Sequence, residues 1–376
     1  MTTRTAPLIA LALATSTLAA CGSPGPVEEP PLSQEALAAV TADPGAPTRP
    51  LARAADDLFT LDGLGETRAL IVYHGGKPAV ERYAPGYDET TRFVSWSMAK
   101  TVTALMIGML VADGQLRLDA PAPVPRWQRT GDPRAEITLR HLLQMRAGLE
   151  HTEAGDPPYE SGEVRMLFLD GRDDMADYAT AQPLEAEPGE RFEYSSNTTV
   201  ILADIAARAL TDSKDPDERR EAVADYLEAR LFAPLGMTSA VPEFDRAGTL
   251  IGGSLIHATA RDWAKLGELL RNKGSYRGEQ LVPRQWVDEM IEPSPKSPHY
   301  GLQTWLNRPL PEGEEHPLFP DRAPHSAFSL IGHMGQYVFV SPTQKLTVVR
   351  LGHSNREERI AMLRQLADVI ELYPET

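Results

Sequence analysis

The sequence predicts an α+β fold in which both ends of the chain build one antiparallel sheet and a helical lobe is inserted between them. Two observations carry this prediction. Hairpin patterns occur near the two ends, at residues 69–83 and 337–351, and the chain between them is mostly helical or loop-rich. Strands that flank a helical middle can share one sheet, with the helices packed on it. We expect a functional cleft at the boundary between the two lobes.

Each hairpin consists of two short strand-like runs with a turn between them. The predicted strands are 69–73, 79–83, 337–340 and 346–351, and the turns are 74–78 and 342–345. A further extended run at 91–96 leads into the first long helix.

This first long helix begins near Ser97 and ends at Asp113 and Gly114, with glycine in its usual C-terminal place. Its apolar residues follow the i, i+3, i+4, i+7, i+8 spacing of a buried helix face. They are Val102, Leu105, Met106, Met109 and Leu110. The other predicted helices are 137–143, 198–210, 221–231, 259–272 and 355–372.

Residues 1–20 are predicted to be an export signal. Arg4 precedes an apolar run at 8–18, and a cleavage box ends at Cys21, the single cysteine of the chain. This arrangement resembles the bacterial lipoprotein box, in which the cysteine carries lipid; an ordinary secretory signal is the alternative. The resemblance implies an exported bacterial lipoprotein, anchored through Cys21 and facing the periplasm or the cell surface. Gly22 and Ser23 are not acidic, which slightly favours the outer membrane.

The remaining chain divides into a tether and a folded domain. Residues 21–50 are predicted to be a tether, because a segment rich in proline, glycine, alanine and acidic residues has too little apolar surface to form a core. Residues 51–376 are predicted to fold. The sheet lobe takes about 51–115 and 250–376, and the helical lobe takes about 116–249.

Composition excludes several classes of partner. The formal net charge of −16 argues against nucleic acid and against a polybasic membrane-binding surface. No stretch after the export signal is apolar enough to span a bilayer, so the predicted lipid is the only membrane attachment. The histidines and the acidic run Glu314, Glu315 and His316 lack a metal-ligand spacing, and no phosphate loop is present. No metal or other cofactor is therefore predicted.

Ser97 and Lys100 form the one Ser-x-x-Lys motif of the chain. Residues i and i+3 face each other on a helix, so Lys100 can reach the Ser97 hydroxyl. A serine becomes nucleophilic when a base takes its proton, and a lysine can be that base once its pKa is depressed. The helix N-terminus would stabilise developing negative charge at Ser97. The motif indicates covalent hydrolase chemistry, although alone it also fits an ordinary polar helix start.

A second polar segment precedes the helix predicted at 198–210. Tyr194 carries a phenol that can relay a proton beside a cation, and Ser196 and Asn197 offer hydrogen-bonding groups. The alternative is structural: Tyr194 packs, and Ser196 or Asn197 caps the helix.

A third segment opens the C-terminal hairpin. Gly335 lets the backbone approach a ligand closely, which makes the N–H of Gln336 a candidate oxyanion donor. His333 could hydrogen-bond to substrate or to the other site residues. The alternative is that His333 is an ordinary polar residue at the start of a strand.

In this order, the Ser-x-x-Lys, Tyr-x-Ser and His-x-Gly segments resemble the three motifs of the serine β-lactamase and penicillin-binding superfamily. The match is to its class C-like branch, whose second motif begins with tyrosine. Residues 96–100 and 137–149 are most similar to the 6-aminohexanoate-dimer-hydrolase-type group, and the resemblance covers about 60–370. It implies the α/β sandwich of the β-lactamase/transpeptidase type.

The resemblance also implies an acyl-enzyme mechanism. Ser97 attacks an ester or amide carbonyl, and Lys100 and Tyr194 share the proton transfers; which of the two is the resting base stays open. The backbone N–H groups of Ser97 and Gln336 stabilise the oxyanion. His333 orients Tyr194 or the substrate.

The chain departs from the β-lactamase pattern at two positions. Ser196 stands where class C β-lactamases have an asparagine that contacts substrate, with Asn197 one residue out of register, and His333 replaces the lysine of the third motif. We therefore expect a serine hydrolase that cleaves an ester or amide bond of a small molecule. A β-lactamase or D-Ala-peptide hydrolase is the alternative within this chemistry. A non-catalytic ligand-binding lipoprotein is the alternative outside it.

Overall fold

The computed structural model describes residues 2, 31–310 and 317–376. The predicted export signal, Cys21 and the acidic run that ends at His316 lie outside the described residues, so their assignments stay predictions. Among the helices of the described part, none has both the length and the apolar character that a membrane crossing requires.

The described residues form strands, α-helices and short turns of tighter or wider helix. The strands are β1 (Glu66–His74), β2 (Lys77–Tyr83), β3 (Arg92–Val94), β4 (Val241–Pro242), β5 (Ile256–Thr259), β6 (Ser275–Tyr276), β7 (Glu279–Gln280), β8 (Trp305–Leu306), β9 (Phe328–Gly332), β10 (Gln336–Ser341) and β11 (Leu346–His353). The α-helices are α1 (Gln34–Ala38), α2 (Thr48–Thr60), α3 (Ala99–Ala112), α4 (Leu139–Leu143), α5 (Gly162–Phe168), α6 (Met175–Ala181), α7 (Ser196–Leu210), α8 (Pro216–Leu227), α9 (Ala233–Leu235), α10 (Ala260–Arg271), α11 (Arg284–Met290) and α12 (Arg356–Glu371). The 3₁₀ turns are Trp96–Met98, Pro125–Trp127, Pro133–Glu136 and Pro158–Glu160, and Glu228–Phe232 is a π turn.

One antiparallel sheet joins the two ends of the chain, as the sequence predicts. Its strand order is β2-β1-β11-β10-β9-β8. The first hairpin meets the last one where β1 pairs with β11, with Ile71 opposite Val349. A smaller sheet of order β3-β5-β4 lies beside it and leads the chain into α3.

Both faces of the main sheet are covered, because successive strand residues point to opposite sides. Ile71 and Val349 belong to the core shared with α3, α7 and α10. Their neighbours Val72 and Val348 belong to a second core formed with α2 and α12. The result is a sheet between two helical layers.

The predicted helices are present, and local caps explain where they begin. Thr138 and His141 form a capping box at the start of α4, and the side chains of Thr259 and Asn355 cap α10 and α12. The helix predicted at 221–231 begins earlier because Asp215 accepts hydrogen bonds from the first turn of α8. All residues of α3 from its start to Leu110 are buried. The sequence predicted burial of one face of this helix, whereas the structure buries all of its sides.

The tether prediction is wrong for its described part. Ser33 caps α1, and α2 begins at Thr48, inside the segment expected to be unfolded. Ala36 is 1% exposed, and Val40 forms an isolated β-bridge with Val80 of β2. The composition of this segment did not indicate that it would be ordered, because a few small apolar residues suffice to pack a short segment against an existing sheet edge.

Candidate active site

A strained turn carries Ser97. The chain leaves β3 and enters the 3₁₀ turn Trp96–Met98, whose first residue, Trp96, adopts a left-handed φ of 45°; the turn then runs into α3. Such a conformation costs about 1 kcal/mol for a residue other than glycine. The Ser95 hydroxyl holds the turn, since it donates to the carbonyl of Ser254 over 3.2 Å and accepts from the N–H of Ile256 over 3.1 Å. The position of Ser97 is therefore fixed by its neighbours.

Lys100 lies directly beneath Ser97 and is 1% exposed. Its Nζ is 2.9 Å from Ser97 Oγ, 2.8 Å from Ser196 Oγ and 2.9 Å from the carbonyl oxygen of Gly253. Burial lowers the pKa of the Lys100 amine, and nearby carboxylates oppose part of this effect. A buried lysine in this setting can give up its proton and accept one from Ser97.

Tyr194 closes the third side of the cluster. Its phenol lies close enough to the side chains of Ser97 and Trp305 for both to lower its pKa, and Lys100 Nζ lies 4.9 Å from the centre of its ring. Burial, followed by the negative charge of Glu153, raises the pKa of the Tyr194 phenol well above its usual value. Tyr194 is thus a neutral proton donor near pH 7. The structure brings Ser97, Lys100 and Tyr194 together.

The two other residues predicted from this segment, Ser196 and Asn197, have different surroundings. Ser196 and Asn197 both lie in the first turn of α7, at 0% and 2% exposure. The Ser196 hydroxyl contacts Lys100 rather than the open pocket. Asn197 is not among the residues that line the candidate cavity, so its role in binding stays a prediction.

Two glutamates that motif reasoning missed complete the site. Glu153 Oε2 accepts the backbone N–H of Ser196 over 2.8 Å and lies 2.6 Å from His151 Nε2. The Ser196 hydroxyl lies 2.7 Å from Glu153 Oε1 and 3.0 Å from Glu163 Oε1. Glu153 lies in the irregular segment after α4, and Glu163 lies in the first turn of α5. No fixed spacing in the sequence signals such a pair.

The two carboxyl groups differ in charge. Burial raises the pKa of Glu153, but Lys100, His151 and Ser196 outweigh it and hold that pKa at about 2. Burial, and then the adjacent Glu153 charge, raises the pKa of Glu163 to about 7. Near neutral pH Glu153 is therefore ionised, whereas Glu163 is present in both its protonated and its ionised form.

Two residues predicted from the third motif, Gly335 and Gln336, lie away from the cavity. Gly332 at the end of β9 packs against the nucleophile turn, since a Cβ there would lie 2.3 Å from the Ser95 carbonyl oxygen. Gly335 and Gln336 do not line the cavity, and the Gln336 side chain instead bonds both backbone groups of Gly352. The reason is register: Gln336 begins β10, which lies beyond β9 in the strand order. The expected oxyanion donor at Gln336 is therefore misplaced.

These groups open into a cavity of about 560 Å³. Ser97, Tyr194 and Glu153 lie on its surface, together with His333 and Arg359. Apolar side chains form much of its wall: Val164, Leu167, Phe168, Ile331, Trp96 and Trp305. Burial lowers the pKa of His333, with the nearby charges of His353 and Arg359 acting in the same direction, so its ring is neutral at pH 7.

The whole domain matches a known family. A family model described as Beta-lactamase matches residues 66–371. The chain belongs to the beta-lactamase family. Membership agrees with the resemblance of its three motifs, and the family model covers both lobes of the fold.

Relatives of this beta-lactamase-family chain are hydrolases. It is 26% identical over 264 residues to a 6-aminohexanoate-dimer hydrolase from Paenarthrobacter ureafaciens, covering 66% of this chain and 64% of that relative. It is 31% identical over 172 residues to Esterase EstB from Burkholderia gladioli, covering 41% of each chain. The chain thus spans less than two thirds of either relative. Both relatives are named for hydrolytic activities.

Solved structures confirm the predicted fold class. A putative 6-aminohexanoate-dimer hydrolase from Bacillus anthracis superposes with a TM-score of 0.64 at 24% identity, covering 82% of this chain and 81% of that one. A family VIII carboxylesterase superposes with a TM-score of 0.63 at 15% identity, covering 88% and 98%. At these identities the similarity concerns the fold alone.

Proposed function

We propose that this serine hydrolase cleaves carboxylic esters with small apolar acyl groups through an acyl-enzyme on Ser97. The observation that carries the proposal is the 2.9 Å contact between Lys100 Nζ and Ser97 Oγ at the surface of a largely apolar cavity. A buried amine supplies the base that a serine nucleophile needs. The apolar wall suits an acyl chain better than a charged one.

The two proton-transfer roles follow from the two pKa directions. Burial lowers the pKa of Lys100, so its amine accepts the proton of Ser97 as the Ser97 oxygen bonds to the carbonyl carbon. Burial raises the pKa of Tyr194, so its phenol donates a proton to the leaving alkoxide and recovers one through the cluster. This assigns Lys100 as the resting base, which the sequence leaves open.

The oxyanion requires two backbone donors close to Ser97. We assign one to the N–H of Ser97 and the other to the end of β9 at His333, because Gly332 and His333 share the cavity wall with Ser97. A single donor of this kind is worth on the order of 3 kcal/mol of transition-state stabilisation.

Two features disfavour β-lactams, which carry a carboxylate. Glu153 places a negative charge at the cavity, and the neutral ring of His333 stands where a lysine would attract that carboxylate. The Ser196 hydroxyl is engaged by Lys100 and the glutamates, so it does not replace the substrate-binding asparagine. Linear amides use the same chemistry and belong in the same test, since one relative is named as a hydrolase of an amide dimer.

The test combines covalent labelling with a substrate screen. Intact-protein mass after treatment with a fluorophosphonate should show one adduct on the wild type and on Ser326→Ala, a control that alters an exposed serine, and none on Ser97→Ala. Turnover of p-nitrophenyl acetate and butyrate should exceed that of a linear amide and of nitrocefin. Labelling of the Ser97→Ala variant, or faster turnover of nitrocefin than of both esters, would overturn the proposal.

A further inference from the structure

The Ser196 hydroxyl has more short contacts than two charged carboxylates allow. A serine hydroxyl donates one hydrogen bond and accepts two. Its partners are Lys100 Nζ at 2.8 Å, Glu153 Oε1 at 2.7 Å and Glu163 Oε1 at 3.0 Å. Lys100 can donate to it, but the hydroxyl can donate to only one of the two glutamates. The other glutamate must itself donate, so one carboxyl carries a proton in this arrangement.

Geometry identifies Glu163 as the protonated partner. Glu153 receives the backbone N–H of Ser196 at 2.8 Å and faces His151 Nε2 at 2.6 Å, which stabilises its ionised form. Glu163 has no comparable set of donors: Ser254 Oγ lies 3.5 Å from its Oε1. With Glu163 as donor, the Ser196 hydroxyl accepts from Lys100 and Glu163 and donates to Glu153, and all three contacts are satisfied.

We propose that Glu163 is the proton store of the Ser97–Lys100 pair and exchanges a proton with Lys100 through the Ser196 hydroxyl. This inference rests on the proposed function of Ser97 and Lys100. The exchange starts from the Lys100 ammonium and an ionised Glu163, with the Ser196 O–H turned from Glu153 to Glu163. One N–H bond of Lys100 breaks as its proton passes to Ser196 Oγ, and the original O–H bond of Ser196 breaks as that proton bonds to Glu163 Oε1. When the new Ser196 O–H turns back to Glu153, the arrangement with a protonated Glu163 is reached. Lys100 is then a neutral amine, ready to take the proton of Ser97, and net charge is conserved.

The surroundings support an exchange near neutral pH. Glu153, Lys100 and His151 are the charged or titratable groups that act on Glu163, and the raised pKa of about 7 follows from burial and the Glu153 charge. His333 and Arg359 lie elsewhere on the wall of the same cavity. Glu163 acts on Ser97 only through Ser196 and Lys100, so it is a positioning residue for the proton rather than a group that contacts substrate.

The predicted pH dependence has a definite sign. Below neutral pH the wild type holds Lys100 as an ammonium and Glu163 as a neutral acid. Loss of one proton leaves the pair with a single proton that either residue can hold. Glutamine at position 163 has the charge of the neutral acid but cannot release a proton, so only ionisation of Lys100 remains. The ionised Glu163 raises the pKa of Lys100 in the wild type, and this charge is absent from Glu163→Gln. The acidic limb of kcat/KM therefore moves to lower pH in the variant.

The first experiment follows the carboxyl directly and needs no turnover. Protein labelled with ¹³C at glutamate side chains is titrated by NMR as wild type, Glu163→Gln and Glu160→Gln, the last an exposed residue of the same segment. We expect one carboxyl resonance with a midpoint near pH 7 that is absent only from Glu163→Gln. If all glutamate resonances titrate below pH 6, the proton store is refuted, whether or not esters are hydrolysed.

The second experiment uses the pH profile of ester hydrolysis. Glu163→Gln should move the acidic limb of kcat/KM to lower pH and lower the plateau above it about tenfold, because the proton released by Lys100 has lost its acceptor, whereas Glu163→Asp, which keeps a carboxyl, should retain a limb near neutrality. Ser196→Ala should cause a similar loss on the plateau, and adding Glu163→Gln to it should lower the plateau little more. An equal loss at every pH in Glu163→Gln would mean a merely structural role and would overturn the inference. Absence of ester turnover in the wild type would instead count against the proposed function.

Discussion

At the scale of single residues, the site depends on a lysine that is buried among groups of opposite charge. Lys100 is 1% exposed and hydrogen-bonded to Ser97, Ser196 and the backbone of Gly253. Burial lowers the pKa of Lys100, and the negative charges of Glu153 and Glu163 offset part of this decrease. The balance keeps both protonation states accessible, which a proton-transferring residue requires.

Replacing Lys100 with methionine should remove the base without leaving a large void. We expect kcat/KM for a p-nitrophenyl ester to fall by about 10³-fold, because general-base assistance is lost. The matched control is Lys265→Met, since Lys265 on α10 pairs with Asp262 over 2.7 Å and lies outside the cavity. Similar activity losses in both folded variants would contradict the role of Lys100.

The raised pKa of Glu163 has a cost in stability with a definite sign. The pKa of Glu163 is about 7 in the folded protein and returns to the ordinary glutamate value of 4.5 when the chain unfolds. Between these values the unfolded state binds fewer protons, so stability falls as pH rises. We expect Glu163→Gln to be more stable than the wild type by about 3 kcal/mol at pH 8 and equal to it at pH 4, measured by urea unfolding. A difference that does not change with pH would contradict this account.

Some site residues could be predicted from the sequence and others could not. Ser97 and Lys100 are one helical turn apart, so their contact is local, and Tyr194 belongs to a recognisable motif. Glu153 and Glu163 reach the site through an irregular segment whose path depends on tertiary packing. An acidic residue there resembles any solvated loop residue until its burial is known.

At the scale of elements, the end of β9 determines the shape of the site beside Ser97. Gly332 leaves room for the Ser95 carbonyl, which a Cβ would approach to 2.3 Å. The close approach predicted from the sequence was at Gly335, where the strand was expected to begin. In the structure this residue lies in the turn between β9 and β10, with a left-handed φ of 83°. The hairpin was predicted correctly, but the residue of close approach was placed three positions too far along the chain. Strand register depends on which residues pair, and the sequence pattern alone does not give the pairs.

Gly332→Ala should push β9 away from the nucleophile turn. We expect kcat for ester hydrolysis to fall at least about tenfold in the folded fraction, since the oxyanion site would shift. The control is Gly352→Ala on β11, which is equally crowded, with a Cβ 2.0 Å from the Glu66 carbonyl oxygen, but lies outside the cavity. Both variants should lose stability in thermal unfolding. Equal kcat losses per folded molecule would argue against a special role for Gly332.

At the scale of the whole molecule, the sheet is held between two helical layers, and the N-terminal helices are part of one of them. Leu51 and Leu58 of α2 are at most 1% exposed and join the core behind the sheet. The overall architecture could be predicted because hairpin patterns at both ends are strong local signals. The packing of residues 33–60 could not, because it depends on a surface that exists only after the sheet has formed.

Truncation of a buried side chain on α2 should therefore destabilise the entire domain. Leu58→Ala should lower the free energy of unfolding by about 2–5 kcal/mol, through lost burial and the cavity left behind. The control is Leu61→Ala, just beyond the same helix, where the side chain is 48% exposed and little should change. Equal effects of the two substitutions would mean that α2 does not pack on the sheet in solution.

Acylation of Ser97 is best tested by the mass of a trapped acyl-enzyme. The protein is mixed with a p-nitrophenyl ester, quenched in acid within the first turnover and digested with protease. We expect an added acyl mass on the peptide that contains Ser97, and none in the Ser97→Ala variant. Ester hydrolysis with no acylated peptide, or with acyl mass on another residue, would contradict this expectation.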